Sequence, residues 1–205
     1  MRRSALKLLT IATAGALIGL GLAPAAVASA DTSVTVTYPV SGSTYINALK
    51  ASVALGPGTL TSTFDLNTSA VSSTLSLPAA TASVKELGFI PVTATTQFIQ
   101  DGAATGTANL GTNSVTVTSQ TTLQITSLTV AGVPIPVGHS CQTTTPAGIT
   151  VTSQPGFKVL SGGDLAGTYT IPRFSHCGLA TALINFTIPG PGNTITLTLG
   201  AAKLG

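Results

Sequence analysis

Apolar residues alternate with hydroxyl-bearing residues along several stretches of the chain, and this alternation constrains the fold more than any other feature. In the first such stretch, Val34, Val36, Tyr38 and Val40 are separated by small polar residues and one proline. The same alternation recurs at Val115 and Val117, at Leu123 and Ile125, and at Ile195, Leu197 and Leu199. Side chains of a strand point to opposite faces in turn. The pattern therefore predicts strands with one buried face and one wet face.

Threonine supplies most of the predicted wet face. Residues 31–205 contain 34 threonines and 17 serines. A β-branched side chain suits a pleated surface, and its hydroxyl takes the place of the charged groups that normally face water. Between Ile125 and Leu128 the apolar spacing changes to three residues. This slip predicts a β-bulge near Thr126-Ser127.

The predicted fold class is all-β. Many strands with frequent turns, and without strand–helix alternation, favour an antiparallel β-sandwich of immunoglobulin-like or related type, with a β-barrel as the alternative. One short helix is predicted near residues 179–186, where Leu179, Leu183 and Phe186 can share a face with Ala182, and a strand is the alternative because the segment is short and contains β-branched residues. Residues 77–88 show the weakest strand pattern and are predicted to form a long connection.

The first thirty residues have the pattern of a secretory signal peptide. Three basic residues within the first seven positions precede an apolar run, which ends at Ala28-Ser29-Ala30. Small residues of this type mark a cleavage site, so we expect the mature protein to begin at Asp31. Glycine and proline inside the run disfavour the alternative of a retained membrane anchor. We therefore predict a cleaved signal peptide over residues 1–30 and a single extracellular or cell-surface domain over residues 31–205.

Charge is scarce in the predicted mature chain. The full sequence has eight Lys or Arg and five Asp or Glu, and three of the basic residues lie within the signal peptide. The remaining balance is neutral, which excludes an electrostatic case for nucleic acid. No cysteine lies near the cleavage site, where a lipid would be attached, and no apolar stretch with a basic tail ends the sequence. We therefore expect neither a covalent lipid nor a sortase anchor.

The two cysteines, Cys141 and Cys177, are predicted to form a disulfide because the chain carries an export signal. Each has a histidine nearby, His139 and His176. The alternative is a metal site, with two cysteines and two histidines when reduced or a histidine pair when oxidised. Neither a Cys-x-x-Cys nor a His-x-x-x-His spacing occurs, and no carboxylate lies close in sequence. The sequence therefore predicts the disulfide and no metal or cofactor.

Catalytic residues do not form a recognisable constellation. The acidic residues after the signal peptide occur singly, at Asp31, Asp65, Glu86, Asp101 and Asp164. A glycosidase needs two carboxylates at one bond, and a hydroxyl nucleophile needs a base beside it. The nucleophile elbow Gly-x-Ser-x-Gly is also absent from the sequence. We therefore predict that the protein is not an enzyme, and the alternative is a secreted hydrolase whose acid pair or histidine base is assembled by the fold.

The region around the cysteines resembles a known group of proteins. The segments that carry the resemblance are residues 125–138 (ITSLTVAGVPIPVG) followed by Cys141, residues 167–172 (GTYTIP), residues 177–179 (CGL) and residues 192–199 (GNTITLTL). They are similar to small secreted threonine-rich proteins of actinobacterial type, which have a two-cysteine β-rich domain and no established activity. The resemblance implies export, a β-rich fold and the bridge between Cys141 and Cys177. It transfers no functional residue.

Together these patterns predict a non-catalytic binding or structural module that is secreted or associated with the cell envelope. Its expected contact surface is the hydroxyl-rich face of the strands. The expected partner is a cell-wall component, another envelope protein or a second copy of the chain. A pore-forming β-barrel of the envelope is the alternative of a different class, because alternating strands of low charge also suit a membrane barrel.

Overall fold

The computed structural model describes residues 32–86 and 90–204, so the predicted signal peptide lies outside the described residues. The described chain consists of strands and one short helical segment. The strands are β1 (Ser33–Ile46), β2 (Ala51–Asp65), β3 (Ala70–Ser76), β4 (Ala80–Glu86), β5 (Ile90–Gln100), β6 (Ala104–Asn109), β7 (Ser114–Val130), β8 (Val133–Pro134), β9 (Gln142–Thr143), β10 (Ala147–Ser153), β11 (Gly163–Ile171), β12 (Phe174–Ser175), β13 (Gly190–Leu199) and β14 (Lys203–Leu204). A 3₁₀ turn, η1 (Gly178–Ala180), leads into helix α1 (Thr181–Thr187). None of the helices described is long and apolar enough to span a membrane.

Eight of the described strands close into an antiparallel barrel. Around the ring the order is β1, β2, β3, β6, β7, β10, β11 and β13, and β13 pairs with β1 again. Each barrel strand therefore pairs with the next barrel strand along the chain. This is the up-and-down arrangement, in which full closure leaves no exposed edge in the ring.

The predicted sandwich is wrong, although the all-β antiparallel class is confirmed. A sandwich needs a break between two facing sheets, and no such break interrupts the ring formed by the described strands. Strand β7 pairs with β6 on one side and with β10 on the other, while β13 pairs with both β11 and β1. Alternation has the same period in a sandwich and in a barrel, so the sequence pattern did not separate them.

One row of hydroxyl-bearing side chains shows how the barrel is staggered. Its members lie directly opposite one another from strand to strand: Thr35, Thr63, Ser72, Thr105, Thr118, Thr150, Thr168, Thr194 and Tyr45. All are exposed or half-buried, so the row runs around the outside. It leaves β1 at Thr35 and returns to β1 at Tyr45, ten residues further along. With eight strands, a stagger of ten residues implies a strand tilt of about 40°.

Two outer strands extend the sheet beyond the ring. β5 pairs with the second half of β7, and β4 pairs with β5. The prediction of a connection over residues 77–88 is therefore wrong in part, because β4 occupies most of that segment. Its apolar positions are small, as at Ala80 and Ala82, which weakened the alternation signal. The predicted bulge is confirmed, because Thr126 is an extra residue where the β5–β7 register shifts.

The two ends of the barrel differ in the length of their connections. At one end, which we call the short-loop end, the barrel strands are joined by residues 66–69, 110–113 and 154–162. At the other, the long-loop end, they are joined by residues 47–50 and by three long segments, residues 77–103, 131–146 and 172–189. The outer strands, the cysteines and helix α1 all belong to these long segments.

Close contact between barrel strands gives a test of this architecture. A Cβ atom built at Gly106 would overlap the Thr116 carbonyl oxygen on β7 and lie 2.7 Å from Val117 Cα. We expect Gly106→Ala to lower the free energy of unfolding by about 2–3 kcal/mol, because the backbone of β7 must move. Urea denaturation measures this change. Gly148→Ala is the matched control, since its Cβ would stand 3.7 Å from the Gln120 side chain, and equal losses in the two variants would contradict the close pairing.

Candidate binding site

The predicted disulfide between Cys141 and Cys177 is confirmed. Both residues are fully buried, and their Cα atoms lie 4.3 Å apart. The bridge joins the β8–β9 connection to the segment that leads into η1. The Ile125 amide donates to the Cys141 carbonyl oxygen at 2.8 Å, which ties the bridge to β7. The two sulfurs are therefore structural and are not available as thiolate ligands.

The two histidines lie on the surface near the disulfide. His139 is exposed, and its backbone carbonyl oxygen accepts a hydrogen bond from Gln124 Nε2 at 2.7 Å. His176 is exposed in the left-handed region, with φ +60°, and its Nδ1 lies 3.0 Å from Ser175 Oγ. No group of three or more His, Cys, Asp or Glu side chains suited to a metal occurs within residues 32–86 and 90–204. Within the described residues, the metal alternative is thus limited to the histidine pair, and it stays a prediction.

Three of the acidic residues considered as catalytic candidates accept hydrogen bonds from nearby groups. Asp65 accepts hydrogen bonds from the Thr68 side chain and from the amides of Thr68 and Asn67, and these bonds lower the pKa of its carboxyl. Asp101 accepts from Thr122 Oγ1, and Asp164 accepts from Thr198 Oγ1, each at 2.7 Å. Each carboxylate therefore holds a turn or a neighbouring strand. Asp31 and the side chain of Glu86 lie outside the described residues.

The interior of the barrel contains a cavity that the sequence analysis missed. Its volume is about 90 Å³. Apolar side chains form most of its wall, among them Leu60, Phe64, Val71, Leu75, Ala104, Val115, Ile149, Phe157, Leu197 and Leu199. No Asp, Glu, His, Lys or Arg of the described chain contributes to that wall. The cavity therefore has the lining of a binding site for an uncharged group.

Two hydroxyl pairs interrupt the apolar wall of the cavity. Ser62 Oγ lies 2.8 Å from Ser73 Oγ, and Ser119 Oγ lies 3.0 Å from Thr121 Oγ1. The bond between Ser62 and Ser73 uses only one of their two hydroxyl hydrogens, whereas Ser119 Oγ also donates to the Gln120 carbonyl oxygen at 3.5 Å, so the second pair uses both. Gln100 also lines the cavity, and its side-chain amide accepts from the Leu75 amide and donates one of its two hydrogens to the Ser73 carbonyl oxygen. A guest in the cavity would therefore meet the two hydroxyl pairs and the Gln100 amide as polar neighbours.

The cavity is covered at the short-loop end by residues 154–162, which we call the plug loop. Phe157 is buried and contributes to the cavity wall. Tyr38 is also buried there, and its hydroxyl donates to the Val159 carbonyl oxygen at 2.7 Å. The Ala202 amide donates to the Leu160 carbonyl oxygen at 2.9 Å. The plug loop is therefore held on the barrel by the buried Phe157, the half-buried Val159, the close packing of Gly162 on Leu199 and Gly200, and hydrogen bonds to two other segments.

A larger groove of about 500 Å³ lies on the outer side of the plug loop. Its residues come from the start of β1, the end of β2, the β6–β7 turn and the plug loop: Val34, Val36, Phe64, Leu66, Leu110, Asn113, Lys158, Val159, Leu160 and Ser161. Leu66, Leu110 and Leu160 are substantially exposed. The groove is therefore mainly apolar, with one cation at Lys158. Phe64 lines both the groove and the cavity.

The helical segment lies at the long-loop end. The apolar residues that the sequence pattern placed on one face of this helix are exposed to solvent. The prediction of a short helix is confirmed, and α1 covers Thr181–Thr187. Leu179 is fully exposed, Phe186 is 89% exposed and Leu183 is 49% exposed. Ile184 and Ala180 are buried instead. The three exposed residues form an apolar surface on the opposite end of the barrel from the groove.

No protein-family model, no curated protein and no solved structure matches the chain. The resemblance to secreted actinobacterial proteins therefore stays a prediction. The candidate site depends on the geometry of the barrel alone.

The buried phenol of Tyr38 makes the stability of the barrel sensitive to alkaline pH. Burial raises the pKa of Tyr38 from 10.0 to about 12. Between these values the unfolded chain loses the proton first, so the folded state binds more protons and the free energy of unfolding falls as pH rises. We expect urea midpoints to drop between about pH 9 and about pH 12, with a smaller drop in Tyr38→Phe. Equal drops in the two proteins would show that Tyr38 does not titrate in this way.

Proposed function

We propose that the protein is an exported, non-catalytic binding protein that takes a small apolar ligand into its barrel. The observation that carries this proposal is the cavity of about 90 Å³ inside a closed barrel, beneath a loop and a larger apolar groove. Barrels of eight strands are just wide enough to hold side chains or one small ligand. Here the side chains leave part of that space free.

The composition of the two spaces favours binding over catalysis. The cavity wall consists of apolar side chains, hydroxyls, one amide and the Tyr38 phenol, which is protonated at neutral pH even at its ordinary pKa of 10.0. Hydrolysis requires a base, an acid or an activated nucleophile near the reacting bond. Among the described residues, Lys158 is the titratable side chain of the groove, and it stands alone there. A reversible ligand that is held by burial fits this environment better than a substrate does.

The directions of the side chains on the barrel strands argue against the alternative of a pore-forming membrane barrel. Closure of the ring meets one requirement of that class. Membrane barrels, however, place apolar side chains outward and polar side chains inward. Here the outward row from Thr35 to Tyr45 carries hydroxyls, while inward residues such as Val36 and Leu197 are buried. This arrangement supports a barrel whose outer surface faces water, and we favour that reading.

Export is supported by the pattern of residues 1–30 and by the disulfide, which persists in oxidising compartments. A hydroxyl-covered exterior also suits contact with a neutral wall polymer or with another envelope protein. We assign the small-molecule site to the inside of the barrel and any contact with a wall polymer or another protein to its outer surface. These two surfaces do not overlap, because side chains alternate between the faces of each strand.

Fractionation of the native host tests the export part of the proposal. We expect the mature chain to begin at Asp31 and to be recovered from the medium or from a wall extract without detergent. N-terminal sequencing and blotting of each fraction measure these outcomes. A chain that retains residues 1–30, or that is recovered only with detergent, would contradict this part of the proposal.

Xenon tests the cavity, because it enters small apolar cavities without needing a polar contact. We expect xenon to shift the methyl NMR signals of cavity residues such as Val71 and Leu197. Ala104→Leu should weaken this effect at least about tenfold, because the added carbons occupy the free volume. Ala54→Leu, the same change at an exposed position of β2, should have no effect.

Folding of each variant is checked by circular dichroism. If Ala104→Leu does not fold, Ser119→Val narrows the same cavity with a smaller change. Xenon shifts that are absent in the unmodified protein, or that survive in the filled variant, would show that the barrel interior is not a binding site.

A further inference from the structure

The plug loop separates two spaces that together reach the size of a small-molecule site. The cavity measures about 90 Å³ and the groove about 500 Å³, whereas ligand pockets generally measure about 300–1,000 Å³. Phe64 lines both spaces, so they adjoin at this side chain. Phe157 faces the cavity, and the next four residues of the plug loop line the groove. Displacement of the plug loop would therefore join the two spaces.

The plug loop has glycine at both ends of the part that would move. Gly156 has φ +92°, and a Cβ built there would meet no atom within 4 Å. Gly162 has a φ of +81° and packs against the main chain of Leu199 and Gly200, where an added Cβ would overlap both carbonyl oxygens. The main-chain bonds between Lys158 and Gly162 lie inside the loop and would move with it. Gly156 and Gly162 are therefore the points about which residues 157–161 would swing, with Gly162 held against the end of β13.

We propose that the plug loop is a lid, and that the site beneath it takes one long unbranched acyl chain ending in a carboxylate. This inference rests on the proposed function, since it names the ligand of the same barrel. The hydrocarbon end enters the cavity and crosses to the groove beside Phe64. The carboxylate stays at the mouth near Lys158.

The sizes of the two spaces favour a chain over a ring. A cavity of about 150 Å³ is known to hold benzene, and the barrel cavity is smaller than that, at about 90 Å³. A polymethylene chain has a narrower cross-section than a fused ring system and fills spaces that lie in series. The apolar walls of both spaces stabilise such a chain by burial of its surface.

The polar groups of the groove favour a carboxylate at the outer end of the chain. Lys158 is the charged residue among the described groove residues, and Asn113 and Ser161 are the other polar ones. Lys158 is exposed, and no ion pair occupies its ammonium group in the described chain. A cation and neutral hydrogen-bond donors beside an apolar entrance complement an anionic amphiphile.

Calorimetric titration of dodecanoate and of 1-dodecanol tests the ligand class. We expect both to bind, with dodecanoate favoured, and we expect Lys158→Gln to weaken dodecanoate about fivefold while leaving dodecanol unchanged. Lys203→Gln is the matched control, because Lys203 is an exposed lysine on β14 outside the groove. Equal weakening by both lysine variants, or none by either, would overturn the assignment of the carboxylate to Lys158.

Stopped-flow binding tests the lid. Tyr38→Phe removes the hydrogen bond to the Val159 carbonyl oxygen, so the association and dissociation rates of dodecanoate should both rise about fivefold. Tyr45→Phe changes a half-buried tyrosine on the outer face of the same strand and should leave both rates unchanged. Rates that are the same in the unmodified protein and in Tyr38→Phe would show that the plug loop does not gate the site.

The xenon experiment separates failure of this inference from failure of the proposed function. Xenon binding without binding of either twelve-carbon chain would overturn the acyl ligand and leave the barrel site in place. Absence of both would overturn the site itself. Binding of both chains that Ala104→Leu does not affect would place the chain outside the cavity and contradict the inference.

Discussion

Closure of the strand ring is the constraint on which the rest of the structure depends. Pairing of β13 with β1 and of β7 with β10 closes the ring, so every barrel strand has a neighbour on each side and the ring itself has no edge strand. The stagger of ten residues sets the tilt of the strands, and tilt together with strand number sets the width of the interior. The cavity follows from that width, because Phe64, Phe157 and their neighbours do not fill it. A local change in one strand therefore affects the whole ring, since each register is fixed by two neighbours.

The unusual composition follows from the outer face of the same ring. Threonine side chains stand directly opposite one another on neighbouring strands and share hydrogen bonds, as between Thr35 and Thr63 at 3.0 Å and between Thr118 and Thr150 at 2.8 Å. Cross-strand pairs of this kind stabilise a sheet by about 0.2–1 kcal/mol each. Their hydroxyl groups also make the outer surface hydrophilic without charged side chains. The scarcity of Lys and Glu is thus compatible with a stable barrel, and it leaves Lys158 electrostatically prominent at the groove.

The local features of the fold could be predicted from the sequence, whereas the features that depend on pairing between distant strands could not. The strand faces, the bulge at Thr126 and the pairing of Cys141 with Cys177 follow from spacing and residue type, and the structure confirms them. Ring closure joins residues more than 140 positions apart, and alternation carries no information about it. The helix also shows this limit, because a shared apolar face does not say that Ile184 will be the buried residue. The sequence did contain a signal for the cavity: Ser62 and Ser73 occupy inward positions on strands whose other inward residues are apolar.

The two ends of the barrel are suited to different roles. At the long-loop end the disulfide joins two of the three long connections, and buried polar groups satisfy one another: Thr44 Oγ1 lies 2.7 Å from the Tyr169 hydroxyl, and Asn193 bonds Asn47, Tyr169 and Gly190. Satisfied networks of this kind make a region rigid, and opening it would expose unpaired groups at a cost. At the short-loop end the plug loop rests on Phe157, Val159 and Gly162 and makes few hydrogen bonds to other segments. Motion that admits a ligand therefore costs less free energy at the short-loop end than at the long-loop end. The short-loop end is also where the groove and Lys158 lie, so both observations favour the same entrance.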